Sequence, residues 1–253
     1  MHKQFDLDGR NAVVTGATSG MGLSIARALG KAGAAVLITG RDADSANRVA
    51  ETLRGEGVKA SALPLDVADA GSVAKFADAV RGAFSQVDIL VLNAAGSAPE
   101  GSILSHSAEQ FDAVMAANVR PNIVLVNAIA PGMMERRDGS IMFTSSRAAK
   151  RGSAMLGLYG MSKAAIDQYV RNLAVELGAY NINVNSINPG PVRTAFSKSL
   201  WDSEEKTGRL EAMIPMRRIG EADDVAGLAL LLASPSGRFI HGQNISVDGG
   251  LTA

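Results

Sequence analysis

The chain has 253 residues and is 47% hydrophobic, enough for one sizeable core, and a single α/β domain of this length is ordinary. Lys+Arg and Asp+Glu balance at 25 each, so no global field recruits nucleic acid or an anionic membrane. The absence of cysteine excludes disulfides and thiolate metal sites and suits a reducing cytoplasm, and His2, His106 and His241 have no metal-ligand spacing. The start, Met1-His-Lys-Gln-Phe-Asp6, lacks the apolar run of a signal peptide. No 18 apolar residues follow one another uninterrupted, so no membrane span is expected.

In chain order, residues 11–15 read as a short apolar strand. The turn Gly16-Ala-Thr-Ser-Gly20-Met-Gly22 follows, then a helix with Leu23, Ile25, Ala26 and Leu29 on its buried side. Strand, glycine turn and helix N-terminus are the parts of a dinucleotide site, because glycine lets backbone N–H groups approach a pyrophosphate whose charge the helix dipole favours. Residues 34–39, 60–65 and 87–93 read as strands two to four, and residues 43–54 and 72–84 as helices. A long helix over 108–134 is expected to kink or shorten at Pro121 and Pro131. Residues 140–144, 182–187 and 243–247 read as strands five to seven, and 158–178 and 223–233 as helices. Near-continuous apolar strands alternating with helices predict a doubly wound parallel sheet of Rossmann type in one domain.

Tyr159 and Lys163 lie four apart on the 158–178 helix, so they share a face. Taking a tyrosine from a pKa of about 10 to about 7 needs roughly 4 kcal/mol of phenolate stabilisation. An ammonium about 4 Å away supplies on the order of that energy at an effective dielectric near 20. Ser146 can then hold the reacting oxygen while Tyr159 exchanges a proton with it.

Thr15-Gly-x-x-x-Gly-x-Gly22, Asn93-Ala-Ala-Gly96, Asn118, Ser146, Tyr159-x-x-x-Lys163 and Asn188-Pro-Gly190 together resemble the short-chain dehydrogenase/reductase family. The resemblance runs from about Asp6 to Val247-Asp-Gly-Gly250. It implies a seven-stranded Rossmann sheet and reversible transfer between a nicotinamide and a carbonyl or alcohol carbon. Tyr159 would be the acid or base, and Lys163 would tune it and hold the nicotinamide ribose. Ser146, not Ser145, would orient the oxygen, and Asn118 would free a backbone group at a helix kink for a water beside the lysine. Cofactor contacts are implied for Gly16, Thr18, Ser19, Gly20, Met21 and Gly22. They are implied also for Asp66 and Val67 at the adenine, Asn93 and Ala94 beside the adenosine, and Pro189, Gly190, Val192 and Thr194 at the carboxamide. The family often has Asn-Asn-Ala-Gly where this chain has Leu92-Asn-Ala-Ala.

NAD-using relatives carry an acid at the position of Gly40, and Arg41 follows, which favours NADP(H) over NAD(H) through a 2′-phosphate contact. Asp42 and Asp44 oppose that contact unless Asp42 serves as a helix N-cap. Asp66 could alternatively cap the helix near Ser72. The polar stretch 194–216, with Phe196 and the single tryptophan Trp201, reads as a substrate lid. Arg147, Lys150 and Arg151 either attract an anionic substrate or are solvated loop charges.

The reading of the whole is an NAD(P)(H)-dependent ketone reductase or secondary-alcohol dehydrogenase. The chain most resembles 3-oxoacyl-carrier-protein reductases, notably in Ile214-Pro-Met-Arg-Arg-Ile-Gly-Glu221. Arg137 suits docking of an acidic carrier, but Tyr180 stands where the second basic residue belongs. A non-catalytic dinucleotide sensor is the alternative of another class; such proteins tend to lose the tyrosine or lysine. Small residues such as Ala116, Ala117, Ala164, Ala165 and Ala174 would let the two long helices pair with those of other subunits, as in the family. With a second contact through 223–233 and the seventh strand, this implies a homotetramer.

Overall fold

The computed structural model describes residues 3–253 apart from the Arg81 side chain, so His2 lies outside the described residues. Seven strands form one parallel sheet: β1 (Asn11–Val14), β2 (Ala35–Gly40), β3 (Ala60–Pro64), β4 (Ile89–Leu92), β5 (Gly139–Thr144), β6 (Ile182–Pro189) and β7 (Asn244–Val247). Their order is β3-β2-β1-β4-β5-β6-β7, so the winding reverses between β1 and β4. Such a reversal opens a crevice at the carboxyl ends of the strands, where open α/β sheets take ligands.

The described residues form eight α-helices: α1 (Gly20–Lys31), α2 (Ala43–Gly55), α3 (Ala70–Ala83), α4 (Ala108–Asn118), α5 (Arg120–Arg136), α6 (Gly157–Leu177), α7 (Glu204–Met213) and α8 (Ala222–Ala233). One core, with Val14, Val36, Ile38 and Ile89 of the sheet, packs Ile25 and Leu29 of α1 and Val225 and Ala229 of α8. The other, with Val13, Leu90, Phe143 and Val184, packs Phe76 of α3, Leu125 and Ile129 of α5, and Ile166 and Val170 of α6. Alternate residues of each strand thus point to opposite layers.

The helix expected over 108–134 is two helices that meet at Val119. Pro121 sits in the first turn of α5, where its missing N–H needs no partner. Pro131 lies inside α5 without ending it. Together Ala108–Arg136 is apolar and long enough to cross a membrane by composition, but α4 packs on α6 and α5 on α3.

β6 is buried throughout despite three asparagines. Asn183 and Asn185 donate to the Ile240 carbonyl, and Asn188 donates to the Ser146 carbonyl and to Asp167. Each buried amide is therefore satisfied, and β6 is tied to its neighbours by side chains as well as by the ladder.

Candidate active site

The glycine turn leaves β1 and enters α1 in a path that only glycine permits. Gly16 and Gly20 have φ of 62° and 53°. A Cβ at Gly22 would lie 2.2 Å from the Gly16 carbonyl oxygen and 2.6 Å from Asn93 Nδ2. Ser19 starts α1 without a side-chain cap, so the first-turn N–H groups remain for an anionic ligand. The residues present fit a dinucleotide pyrophosphate.

Thr15, buried at the end of β1, fastens this turn to β4. Its hydroxyl accepts from the Asn93 and Ala94 N–H groups at 2.9 and 3.0 Å. Asn93 returns two bonds of 3.1 Å from its amide to the Thr15 and Gly16 carbonyls, and accepts from Thr144 of β5 at 3.1 Å. Three strand ends are thereby locked in register around the crevice. Leu92 points into the core and takes no part in these bonds.

At the end of β2, a Cβ on Gly40 would lie 2.4 Å from the Thr18 methyl, so an acidic side chain has no room there. Arg41 is exposed next to it. Asp42 caps α2, accepting from the Asp44 and Ser45 N–H groups, and lies 3.8 Å from Arg48. Asp66 does not cap α3; Asp69 does, accepting from Gly71. Asp66 instead accepts from the Ala68 N–H at 2.9 Å, and both it and Val67 are half-buried beyond β3.

Ser146, Tyr159 and Lys163 converge where β5 meets α6. Lys163 is buried; its ammonium donates to the Thr144 carbonyl at 2.8 Å and stands 5.6 Å from the centre of the Tyr159 ring. Burial lowers the lysine to about 8, opposed by Asp167, which lies one helical turn further on. Ser145 donates to the Lys163 carbonyl at 3.2 Å and so holds the strand end to α6. Ser146 caps the turn that follows β5, accepting from the Ala148 N–H at 3.1 Å.

The Tyr159 phenol moves opposite to the expected direction. Burial pushes it up, while the Ser146 hydroxyl and then the Arg147 guanidinium pull it back. The phenol's own burial outweighs both pulls, and the net direction is up.

Asn118 is buried at the end of α4, its Oδ1 accepting from Gly96 N–H at 2.8 Å and its Nδ2 donating to Ser162 at 3.3 Å. At the break at Val119, the Asn118 carbonyl accepts the Asn122 side chain at 2.8 Å. A carbonyl has a second lone pair for a water.

Beyond β6, Gly190 passes so near the C-terminal tail that a Cβ would lie 2.7 Å from Asp248 Cα. Pro189 and Val192 are buried. Thr194 lies over the glycine turn, its methyl 3.1 Å from where a Gly20 Cβ would be. In the segment that follows, Phe196 is 6.4 Å from the Tyr159 ring, tilted by 39°. Trp201 does not face the tyrosine. It lies 5.2 Å from the Arg193 guanidinium and donates to Ser197 at 3.2 Å.

Sequence reasoning passed over Asp167 and Thr144. The signal for Asp167 was available: it is four residues after Lys163 on the same helical face. It accepts from Ser186 and Asn188 at 3.0 and 2.7 Å, so it links the lysine helix to β6. Arg137 is engaged rather than free, donating to the Ala179 carbonyl at 2.6 Å and lying 5.9 Å from the Tyr180 ring. Lys150 donates to the Asn244 carbonyl and to Ser246, which removes it from the candidates for substrate attraction.

A family model described as Enoyl-(Acyl carrier protein) reductase matches residues 16–252. Dehydrogenase/reductase SDR family member 4 of Bos taurus is 34% identical over 250 residues, 99% of this chain and 90% of that protein. A gluconate 5-dehydrogenase from Burkholderia cenocepacia, in complex with NADP and tartrate, is similar at a TM-score of 0.93. Its identity is 31%, over 99% of this chain and 98% of that one. A 7 alpha-hydroxysteroid dehydrogenase complexed with NADH and 7-oxo glycochenodeoxycholic acid also reaches 0.93, at 34% identity over 99% and 97% of the two chains. The cradle, the sheet and these likenesses lead to one conclusion: the chain belongs to the short-chain dehydrogenase/reductase family, oxidoreductases that act on CH–OH and C=O groups with a nicotinamide dinucleotide.

Proposed function

We propose that this protein is an NADP(H)-preferring ketone reductase or secondary-alcohol dehydrogenase acting on a small molecule, with Ser146, Tyr159 and Lys163 as its catalytic residues and Asn118 supporting them. The observation that carries the reading is the convergence of a buried lysine, a tyrosine and a serine beside the glycine cradle. The Gly16–Gly22 cradle would hold a nicotinamide dinucleotide, which would supply hydride donor and acceptor chemistry to the crevice. Ser146 donates to the carbonyl oxygen and fixes its position. Tyr159 passes its phenol proton to that oxygen in reduction and takes it back in oxidation. Lys163 holds the ribose hydroxyls, and Asn118, through Gly96 and Ser162, keeps the β4 loop against α6. Retention of both Tyr159 and Lys163 argues against a non-catalytic sensor.

Preference for NADP(H) is supported by the exposed Arg41, the lack of room for an acid at Gly40, and the commitment of Asp42 to its cap. Arg137 bonded to Ala179 weakens the carrier-protein reading. A homotetramer is supported by exposed apolar side chains on α5 and α6, Ile123, Val124 and Val175, and by Phe239 before β7. The lack of cysteine supports a cytoplasmic setting.

The test is turnover of a panel of ketones and secondary alcohols with each nicotinamide. Tyr159→Phe should lower kcat on any accepted substrate at least about a thousandfold, in the upper range of general acid–base catalysis, while dinucleotide affinity stays within a factor of two or so of the parent. Near-parental turnover in Tyr159→Phe would refute the assignment.

A further inference from the structure

Ser146 lies just past the last backbone rung between β5 and β6. That rung is the Ser145 N–H donating to the Ile187 carbonyl at 2.8 Å, and Pro189 has no N–H with which to add another. A side chain takes over. Asn188 donates one amide hydrogen to the Ser146 carbonyl at 3.1 Å and the other to Asp167 of α6 at 2.7 Å. The second oxygen of that carboxylate accepts from Ser186 at 3.0 Å. The Ser186 hydroxyl also lies 2.9 Å from Asn188 Oδ1 and receives the Asn244 amide at 2.7 Å. Asp167, Ser186 and Asn188 are each at most 4% exposed, so bulk water cannot replace these partners.

We propose that Asp167 is a positioning residue for Ser146: its carboxylate dictates which way the Asn188 amide faces, and that amide holds the Ser146 carbonyl and with it the hydroxyl that meets the substrate oxygen. The inference rests on Ser146 being the residue that orients this oxygen. An asparagine side chain carries donors on one side and an acceptor on the other. Turned over, the Asn188 oxygen would face both the Asp167 carboxylate and the Ser146 carbonyl, acceptor against acceptor. Only the observed orientation gives each a donor. On its other side Ser146 is held by the Ala148 N–H, which donates to its hydroxyl at 3.1 Å. The residue is thus gripped at carbonyl and hydroxyl together, and loss of one grip frees the hydroxyl to turn.

Asp167 could instead act on Lys163, one helical turn before it, whose ammonium its charge favours. The lysine, however, is held by bonds of its own. Its ammonium donates to the Thr144 carbonyl at 2.8 Å, and its carbonyl accepts from Ser145 at 3.2 Å. Neither bond passes through Asp167, whereas both oxygens of Asp167 are taken by donors of β6, one of which reaches Ser146.

A carbonyl resonance and a mutant cycle in the intact protein test the proposal. Ser146–Arg147 is the only Ser–Arg pair in the chain, so serine labelled at its carbonyl carbon and arginine labelled at nitrogen isolate one peptide group by NMR. Loss of the Asn188 bond should move the Ser146 carbonyl resonance upfield in Asn188→Ala, and Asp167→Ala should move it the same way. Asp167→Asn, which keeps an acceptor for Asn188 but no charge, should leave it in place. In both alanine variants kcat should fall about tenfold to a hundredfold, the scale of a misplaced group, with NADPH affinity within about a factor of two of the parent. Asp167→Asn should recover most of that loss. In a Ser146→Ala background, Asp167→Ala should cost less than about twofold more, because the residue it acts through is gone. Where the alanine cavity unfolds the chain, Asp167→Leu fills the space without accepting a bond and serves in its place. An unmoved resonance, or a full further loss in the Ser146→Ala background, would overturn the proposal. A loss in Asp167→Asn as large as in Asp167→Ala would also overturn it and assign the charge to Lys163. Near-parental turnover in Ser146→Ala would instead refute the catalytic reading, while the resonance still decides whether Asp167 sets the Ser146 carbonyl.

Discussion

The cofactor side and the substrate side of the crevice are built by different means. On the cofactor side, backbone atoms and small side chains meet at distances that leave little room for an added atom: Gly22 against Gly16, Gly40 against Thr18, Gly16 against Ala94. On the substrate side, α7 buries none of its residues, and Phe196, Met213 and Met216 are exposed. The first must present N–H groups to a ligand that is always the same, and rigidity costs it nothing. The second has little buried surface and opens locally at low cost.

Glycine substitution should expose this contrast most strongly. In Gly22→Ala the new Cβ would meet a backbone carbonyl that cannot step aside without opening the turn. Dinucleotide affinity should fall at least about a hundredfold, or about 2.7 kcal/mol, with a stability loss of about 1–3 kcal/mol from overpacking. Gly208→Ala on α7 meets nothing within 4 Å and should leave affinity unchanged while stabilising the helix by up to about 1 kcal/mol. Isothermal titration with NADPH and thermal unfolding of both variants provide the measurement. Equal losses at the two positions would mean that the cradle is as yielding as α7.

Within the cofactor side, Arg41 should matter less than the turn, because it is exposed and meets one phosphate at most. Arg41→Ala should weaken NADPH about tenfold, or about 1.4 kcal/mol, and leave NADH unchanged. Added salt should shrink the difference, since an exposed pair is screened. Equal affinity for the two nucleotides before and after the substitution would remove Arg41 from cofactor choice.

The same division explains what the sequence made legible. The central strands β1, β2, β4 and β5 were readable as short, mostly buried apolar runs, and the cradle because glycine spacing encodes backbone path directly. The shared face of Tyr159 and Lys163 followed from helical period, and Ser146 from the family resemblance. The helix break at Val119 was placed only approximately, because a proline in the first turn of α5 marks a start rather than an interruption. The direction of the Tyr159 phenol was misread because pair spacing shows proximity but not desolvation, and the lysine is both near and buried. Nor does spacing show which partner a long side chain takes, as Lys150 and Trp201 illustrate.

The smallest of these effects belongs to the segment 194–216. It contains a 3-10 turn at Lys198–Leu200 and then α7, capped by Ser203 and fastened by Arg193, which lies 3.5 Å from both Glu211 and Glu221. These ion pairs are part-exposed and each contributes at most about 1 kcal/mol. With no buried apolar residue in α7, local opening should therefore be frequent in the free enzyme. We propose that the segment closes over bound ligands, with Phe196, already against the Tyr159 ring, shielding the reacting atoms. Backbone hydrogen exchange across the segment should slow about tenfold or more when NADPH and a substrate analogue are both bound, with little change in β1 or β4. Fluorescence of Trp201 should change in parallel, because its contact with Arg193 reports the anchoring point. Arg193→Ala should speed exchange in the free protein and raise KM more than it lowers kcat, since it loosens closure without touching the proton path. Strong and equal protection of 194–216 with and without ligands would make the segment a fixed wall, and would place the mobility needed for substrate entry elsewhere.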